Sequence, residues 1–373
     1  MAMYGLQAAL LSALAWIAVA PGSRRRLIPT TIVVLWALGV TAIFHRYGAD
    51  GLLHFYSNDQ YYHQIMIDKL GWGGRPVFFS DLEERRYTFL GWAWFGRLIG
   101  LDDMLTLKFV ALLCALVTYR IVERELDKSG AGVRLQWIWL ATGPVMVFFS
   151  LLAMRDTMLA MSLTYLFFGR NPSMRLAALV NVLLLRQHLG VAVVVGWGLM
   201  WAVRKIPAAW HSARVALTVV ASVPLGALLL ATIARVLGSW TPPESPFPPD
   251  KEAVFGVLAN LTGLQFLLAN TVSIERSLTS LVLTRAVFPE TIVVPTLFSL
   301  SFFVPFVRFE RLRLWVLASF TIYLGITAST EFTSFRQTLP FMPTMGLLII
   351  HGWLELRTTG AGRASPDQLV AQR

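Results

Sequence analysis

Three short stretches place charge inside apolar sequence, and the residue types are those that bind oxyanions. LLAMRDTMLA (151–160) carries Arg155 and Asp156. LLLRQHLG (183–190) carries Arg186, Gln187 and His188, and EFTSFRQTLP (331–340) carries Glu331 and Arg336. Charged groups at such depth usually face a bundle interior or an aqueous cavity. Arg155, Arg186 and Arg336 together could hold a phosphate or diphosphate, because the guanidinium fork binds oxyanions in bidentate fashion and stays charged. A fourth stretch, SNDQYYHQ (57–64), offers Asp59 as a carboxylate able to accept a hydroxyl proton. Gln60, Tyr61, Tyr62 and His63 are beside it, a composition suited to sugar hydroxyls. Each stretch also has a plainer use. Arg155 can pair with Asp156 or close a helix end, His188 can be a hydrogen-bonded core residue, and Glu331 with Arg336 can form an interfacial ion pair.

The elements that must position these groups are helices. Of 373 residues, 56% are hydrophobic and only 14% charged, a balance that excludes an ordinary soluble domain. Apolar runs of ~17–25 residues recur along the chain, the length a helix needs to cross a bilayer. Barrel strands would alternate apolar and polar residues, and these runs do not. The fold class is therefore an all-α polytopic membrane protein, with the lipid bilayer as its first partner. The net charge of +11 does not indicate nucleic acid, since Arg gathers in the connections between apolar runs, as cytoplasmic loops require. The lone Cys114 can form no internal disulfide. The first apolar run is followed, not preceded, by Arg24, Arg25 and Arg26, the reverse of a cleaved signal. It reads as a first membrane helix with its N-terminus outside.

Arg-rich segments fall on one side if about 11 helices are drawn. They are 24–26, 120–134, 170–175, 204–214, 308–313 and the C-terminal tail. This gives one transmembrane domain over 1–356. It has a long first outer loop at about 45–103 bearing amphipathic interfacial helices, a second, Pro-rich one at about 237–286, and a disordered cytoplasmic tail over 357–373. Length and loop charge place two corners. Residues 135–169 as one helix would span ~52 Å against a ~30 Å core, so the run must bend, and the bend belongs at Arg155–Asp156. Residues 176–203 could make one tilted span of ~42 Å, but that would put 170–175 or 204–214 outside, so they are read as a short hairpin or re-entrant pair with its corner at Arg186–His188. Both corners, with Glu331–Arg336 and the Asp59 loop, then share the outer face. Trp72, Trp92 and Trp94 of the first loop either line a sugar path or anchor the loop in the interface.

The sequence holds no Walker A loop, no HExxH, no CxxC pair and no GxSxG, which argues against an ATP-driven pump or a zinc protease. His45, His54 and His63 stand nine residues apart, with no zinc-type spacing, and no metal ligand is assigned.

HFYSNDQYYHQ, an acidic residue in a long loop just after an early helix, resembles the GT-C class of membrane glycosyltransferases. FFSLLAMRDTMLAMSLTYLFFG followed by RLAALVNVLLLRQHLGVAVVV is similar to bacterial polysaccharide polymerases of the EpsG and Wzy kind. FRQTLPFMPTMGLLIIHGW looks like the closing helix of such proteins, where an Arg precedes Leu-Pro-x-x-Pro. The resemblance spans about residues 45–354. It implies a bacterial plasma (inner) membrane enzyme with its site on the periplasmic or extracellular face. The enzyme would transfer sugar from a polyprenyl-phosphate- or diphosphate-linked donor to a glycan or lipid-linked acceptor. Asp59 would be the general base, with Arg155, Arg186, Arg336 and His188 around the departing phosphate and Asp156 orienting Arg155. Asn58 stands where many such enzymes have a second acidic residue, which leaves dependence on a divalent cation open. The alternative reading is a transporter or flippase of a lipid-linked or anionic substrate.

Overall fold

The computed structural model describes residues 2–54, 63, 64, 67, 87–130, 134–153, 155–237, 288–303, 309–331 and 338–361. All regular structure among them is helical. In chain order the helices are α1 (Ala2–Val19), α2 (Leu27–His54), α3 (Tyr87–Leu98), α4 (Asp103–Lys128), α5 (Leu135–Thr142), α6 (Pro144–Leu151) and α7 (Asp156–Phe168). They continue as α8 (Pro172–Leu185), α9 (Gln187–Val203), α10 (His211–Leu237), α11 (Glu290–Leu300), α12 (Glu310–Glu331) and α13 (Met342–Ala361). Four helical segments are long and apolar enough to cross a membrane: Gly5–Gly22, Leu27–Arg46, Asp103–Lys128 and Leu339–Arg357. α7, α8, α9 and the Glu290–Phe303 segment are apolar but shorter.

The distribution of side chains inverts that of a water-soluble protein. Leu6, Ile17, Leu38, Leu176, Trp197 and Val220 are exposed, while Lys108, Asp156, Arg186, Glu290 and Arg313 are buried. Exposed apolar groups meet no penalty in lipid, whereas ionic groups there must turn inward. Trp92 and Trp94 of α3 are about half exposed, which suits an interfacial anchor better than a lining for a sugar path.

α4 is the hub, packing against α1, α2, α3, α5, α6, α7 and α13. Its start is fixed by Asp102, whose carboxylate accepts from the Leu105 amide at 2.9 Å, and by the ion pair of Asp103 with Arg97 at 2.7 Å. A second layer forms where α12 packs on α9 and α10. Small residues make these contacts close. A β-carbon on Gly226 of α10 would come within 2.8 Å of the Ile322 carbonyl of α12, and one on Gly346 of α13 within 2.6 Å of the Leu140 carbonyl of α5. Without a hydrophobic drive between helices in lipid, such backbone approach is what holds them.

The long run 135–169 is broken twice. One break is the corner at Leu152–Arg155, where length alone demands a bend. Ala153 there has φ 49°, a left-handed conformation that a residue with a β-carbon adopts only when its surroundings impose it. The other break, at Gly143–Pro144, is additional. Gly143 leaves the helical region (φ −32°, ψ 173°) and Pro144 opens α6 at its first position, where its missing N–H matters least. A third break separates α8 from α9 at Arg186 (φ −154°, ψ 87°), the expected corner. α9 turns back there, so that Gly190 lies against Leu183. α13 continues as helix to Ala361, covering the first five residues of the segment expected to be a disordered tail.

Breaking helices inside an apolar layer strands their terminal carbonyls, which need donors. Here cationic side chains from other parts of the chain supply them. Lys108 of α4 donates to the Leu151 carbonyl at the end of α6. Arg124 and Arg175 reach the Phe168 and Leu166 carbonyls at the end of α7, at 3.2 and 2.7 Å. Arg155 donates to the Leu185 carbonyl at the end of α8 at 2.7 Å. Arg214 serves the turn after α9 through the Ile206 carbonyl at 2.9 Å, and Arg313 serves the end of α11 through the Ser301 carbonyl at 2.5 Å. Acids take the opposite ends. Glu123 accepts from the Arg24 amide just before α2 at 3.0 Å, and Glu290 accepts from the Val145 amide at the start of α6 at 2.9 Å. Both placements agree with the helix macrodipole, positive at the N-terminus and negative at the C-terminus.

Candidate functional site

The two corners meet. Asp156 sits in the first turn of α7, fully buried, where the helix N-terminus favours its negative charge. Arg186 occupies the break between α8 and α9 and is 5% exposed. Their closest atoms, Asp156 Oδ1 and Arg186 Nη1, are 3.5 Å apart. The same Nη1 donates to the Tyr323 hydroxyl of α12 at 2.5 Å. Two residues after Arg186, the half-buried His188 lays its ring parallel to Tyr323, with centroids 5.6 Å apart and 5° between planes. Tyr323 in turn meets Phe341 at 5.9 Å, in the turn Leu339–Phe341 that packs on α7. Arg155 completes the group through the Leu185 carbonyl, the residue immediately before Arg186.

Local sequence explains each placement. Arg186 leaves helical geometry, so its own carbonyl starts α9, accepting from the Leu189 and Gly190 amides at 3.0 and 3.1 Å. Its side chain is then free of helix periodicity and can cross to α7 and α12. Arg155 precedes α7 and follows the left-handed Ala153, which aims it at the neighbouring helix end. The resulting site is a buried Arg–Asp pair flanked by a phenol, an imidazole and a second guanidinium. Such a set can bind an oxyanion that displaces the Asp156 contact.

Sequence alone thus placed Arg155, Asp156, Arg186 and His188 together, and the structure brings these four into one cluster. The structure adds a contact that sequence proximity did not indicate: Asp156 lies against Arg186. Asp156 and Arg186 come from different corners, and only their packing makes them neighbours. Glu331 ends α12, eight residues or ~12 Å beyond Tyr323. Its side chain, like Asp59, Gln60, Tyr61, Tyr62, Trp72 and Arg336, lies outside the described residues. His63 is buried, with its ring edge-on to Phe89 at 5.8 Å.

Tyr323, Lys108 and Glu290 were not singled out by sequence. Lys108 and Glu290 were findable, as lone charges in LTLKFVALL and VFPETIVVP. Tyr323 was not, because an aromatic residue in an apolar helix carries no signal of its hydroxyl's partner. Among the described residues, no group of three or more His, Cys, Asp or Glu is placed to hold a metal ion.

Helical structure throughout the described residues, apolar surfaces and buried ionic groups define the class as an all-helical membrane protein. Compared with family models, curated proteins and solved structures, the chain matches none of them.

Proposed function

We propose that this protein is a membrane glycosyltransferase or polysaccharide polymerase that takes its sugar from a polyprenyl-phosphate- or diphosphate-linked donor. The observation that carries this reading is the buried Arg186 at a helix break, with Arg155, His188 and Tyr323 around it. A guanidinium held in a dry, preorganised setting stabilises the negative charge that develops on a departing phosphate. Arg186 is the phosphate contact in this reading, and Asp156 holds it ready between turnovers. Arg155 fixes the corner by closing α8 and adds positive charge. Asp59, from the sequence, is the base for the acceptor hydroxyl, a role worth ~10²–10⁴-fold in rate. Glu331 joins from the end of α12 and Arg336 from the connection after it, and Gln60 and Tyr61 hold sugar hydroxyls. The enzyme acts on the outer face of a bacterial inner membrane, with a cell-envelope glycan or lipid-linked acceptor.

Membrane fractions carrying Asp59→Asn or Arg186→Lys, supplied with a lipid-linked sugar donor, test this. Transfer should fall by at least ~10²-fold in each. Unchanged transfer in both folded variants overturns it.

The second reading, a transporter or flippase of a lipid-linked or anionic substrate, is favoured by one observation. The α5–α6 pair is a broken helix whose inner half-helix begins against a buried acid, a device that transporters place at their binding sites. Transport of lipid-linked substrate across proteoliposomes without sugar transfer would select it.

A further inference from the structure

Among the described residues, Glu290 is unlike the other buried acids in having no cation against it. Glu123 has both carboxylate oxygens served, Oε1 by the Ser23 hydroxyl at 2.8 Å and by the Arg24 amide, and Oε2 by Arg120. Asp103 has Arg97, and Asp156 has Arg186. Glu290 Oε1 accepts one hydrogen bond, from the Val145 amide. Its Oε2 is buried and has no hydrogen-bond partner. The residue is fully buried.

Its described surroundings are tightly packed and mostly apolar. A β-carbon on Gly143 would lie 2.7 Å from Oε1 and 2.8 Å from the Glu290 γ-carbon. Next to it the Phe288 and Phe148 rings pack at 4.9 Å. α5 and α6 carry no titratable side chain. On α13, Gly346 marks the level of the break, and His351 lies five residues, or ~7.5 Å, further along. His351 faces Phe168 and Phe309, and Glu355 and Arg357 lie further still. Lys108 meets α6 at Leu151, ~9 Å along the axis from Val145. Arg313 meets the chain at Ser301, ~16 Å along from Glu290. An ionised carboxylate here would keep a bare buried oxygen with only backbone amides and a half-helix dipole against it, and a buried charge without a counter-ion takes up a proton instead.

We propose that Glu290 is a proton-binding site inside the membrane layer, at the joint between α5 and α6. The ligand is a single proton on Oε2, and the Val145 bond to Oε1 is retained. This assignment is independent of the sugar-transfer reading. It places a titratable group at one end of the eight-residue α6, whose other end leads into the Arg155–Asp156 corner.

Infrared spectroscopy of the purified full-length protein in lipid bilayers tests this. A carbonyl stretch of a protonated, non-hydrogen-bonding carboxyl should be present at neutral pH and fade as pH is raised. It should shift when the protein is grown with carbon-isotope-labelled glutamate and vanish in Glu290→Gln. Gly143→Ala, which pushes on Oε1 while keeping the acid, should move the band without removing it; this arm stands even if the Gln variant fails to fold. Three results overturn the assignment: no glutamate-derived band at neutral pH, a band that persists in folded Glu290→Gln, or a carboxylate signal that responds to sodium or potassium replacing choline. The last would make the site one for a metal cation.

Discussion

Replacing Arg186 by Met tests how the two corners are joined. Asp156 and Arg186 have side-chain exposures of 0% and 3% and lie 3.5 Å apart. Removing the guanidinium leaves the carboxylate buried without its cation, a change worth ~3–5 kcal/mol. The Tyr323 hydroxyl also loses its donor, at ~1–3 kcal/mol for a buried group. The N-terminus of α7 offsets part of this, by up to ~2 kcal/mol in a favourable buried geometry. The net expectation is ~4 kcal/mol, a loss of about three decades in the folding equilibrium. Asp156→Asn alone strands the Arg in the same way. The double variant removes both charges, so the two changes should not add: a coupling of ~2 kcal/mol or more is expected, at the upper end for contacting residues. Reversible unfolding by steric trapping in bicelles reads all four corners of this cycle. An Arg186→Met loss below ~1 kcal/mol would refute the reasoning, because a buried pair broken on one side cannot be that cheap. So would strict additivity of the two single changes.

Three further outcomes follow from the same structure. Gly226→Val puts a side chain where a β-carbon already lies 2.8 Å from the Ile322 carbonyl; thermal unfolding in detergent should show a loss of ~1–3 kcal/mol as α10 is forced from α12. Lys108, fully buried on the Leu151 carbonyl, should resist amine-reactive reagents while Lys128, about one-third exposed, is labelled. Mass spectrometry of folded and unfolded protein distinguishes these, and equal labelling of both in the folded state would contradict the placement. Burial holds the Asp102 carboxyl above its ordinary value. The folded state therefore favours its protonated form, and its contribution to stability falls as pH rises through the ordinary value toward the folded one. Asp102→Asn keeps a good helix cap and should flatten that fall, read as thermal stability across mildly acidic to neutral pH.

How much of this was legible in the sequence follows from what each feature depends on. Helices and apolar surface are local properties, visible in run length and composition. The corner at Leu152–Arg155 was legible because a bilayer has a thickness and the run exceeds it, and the one at Arg186 because the Arg-rich segments on either side had to fall on one face. The break at Gly143–Pro144 had a signal, the Gly-Pro dipeptide, but the bend at Arg155 already satisfied the length and hid it. The pairing of Asp156 with Arg186 was not legible. Sequence proximity joins Asp156 to Arg155, and only the approach of α8 to α7 brings Arg186 to it. The role of Arg155 toward Leu185 was half legible: a helix-closing use was among its readings, but not which helix it closes. Tyr323 needed the register of α12 against α9, which no single stretch encodes.

The cation-closed helix ends also bear on how the chain is built. Chains enter the membrane from the N-terminus onward, and a carbonyl stranded in lipid has no water to wait with. For α6 and α8 the closing residue is made first: Lys108 precedes Leu151, and Arg155 precedes Leu185. Those ends can be satisfied as soon as they emerge. For α9 and α11 the order is reversed, since Arg214 follows Ile206 and Arg313 follows Ser301. These two helices cannot finish until the next helix has begun, so each insertion step from α9 to α10 and from α11 to α12 is a joint event of two neighbours. The order of synthesis thus divides the bundle into helices that settle alone and helices that settle in pairs.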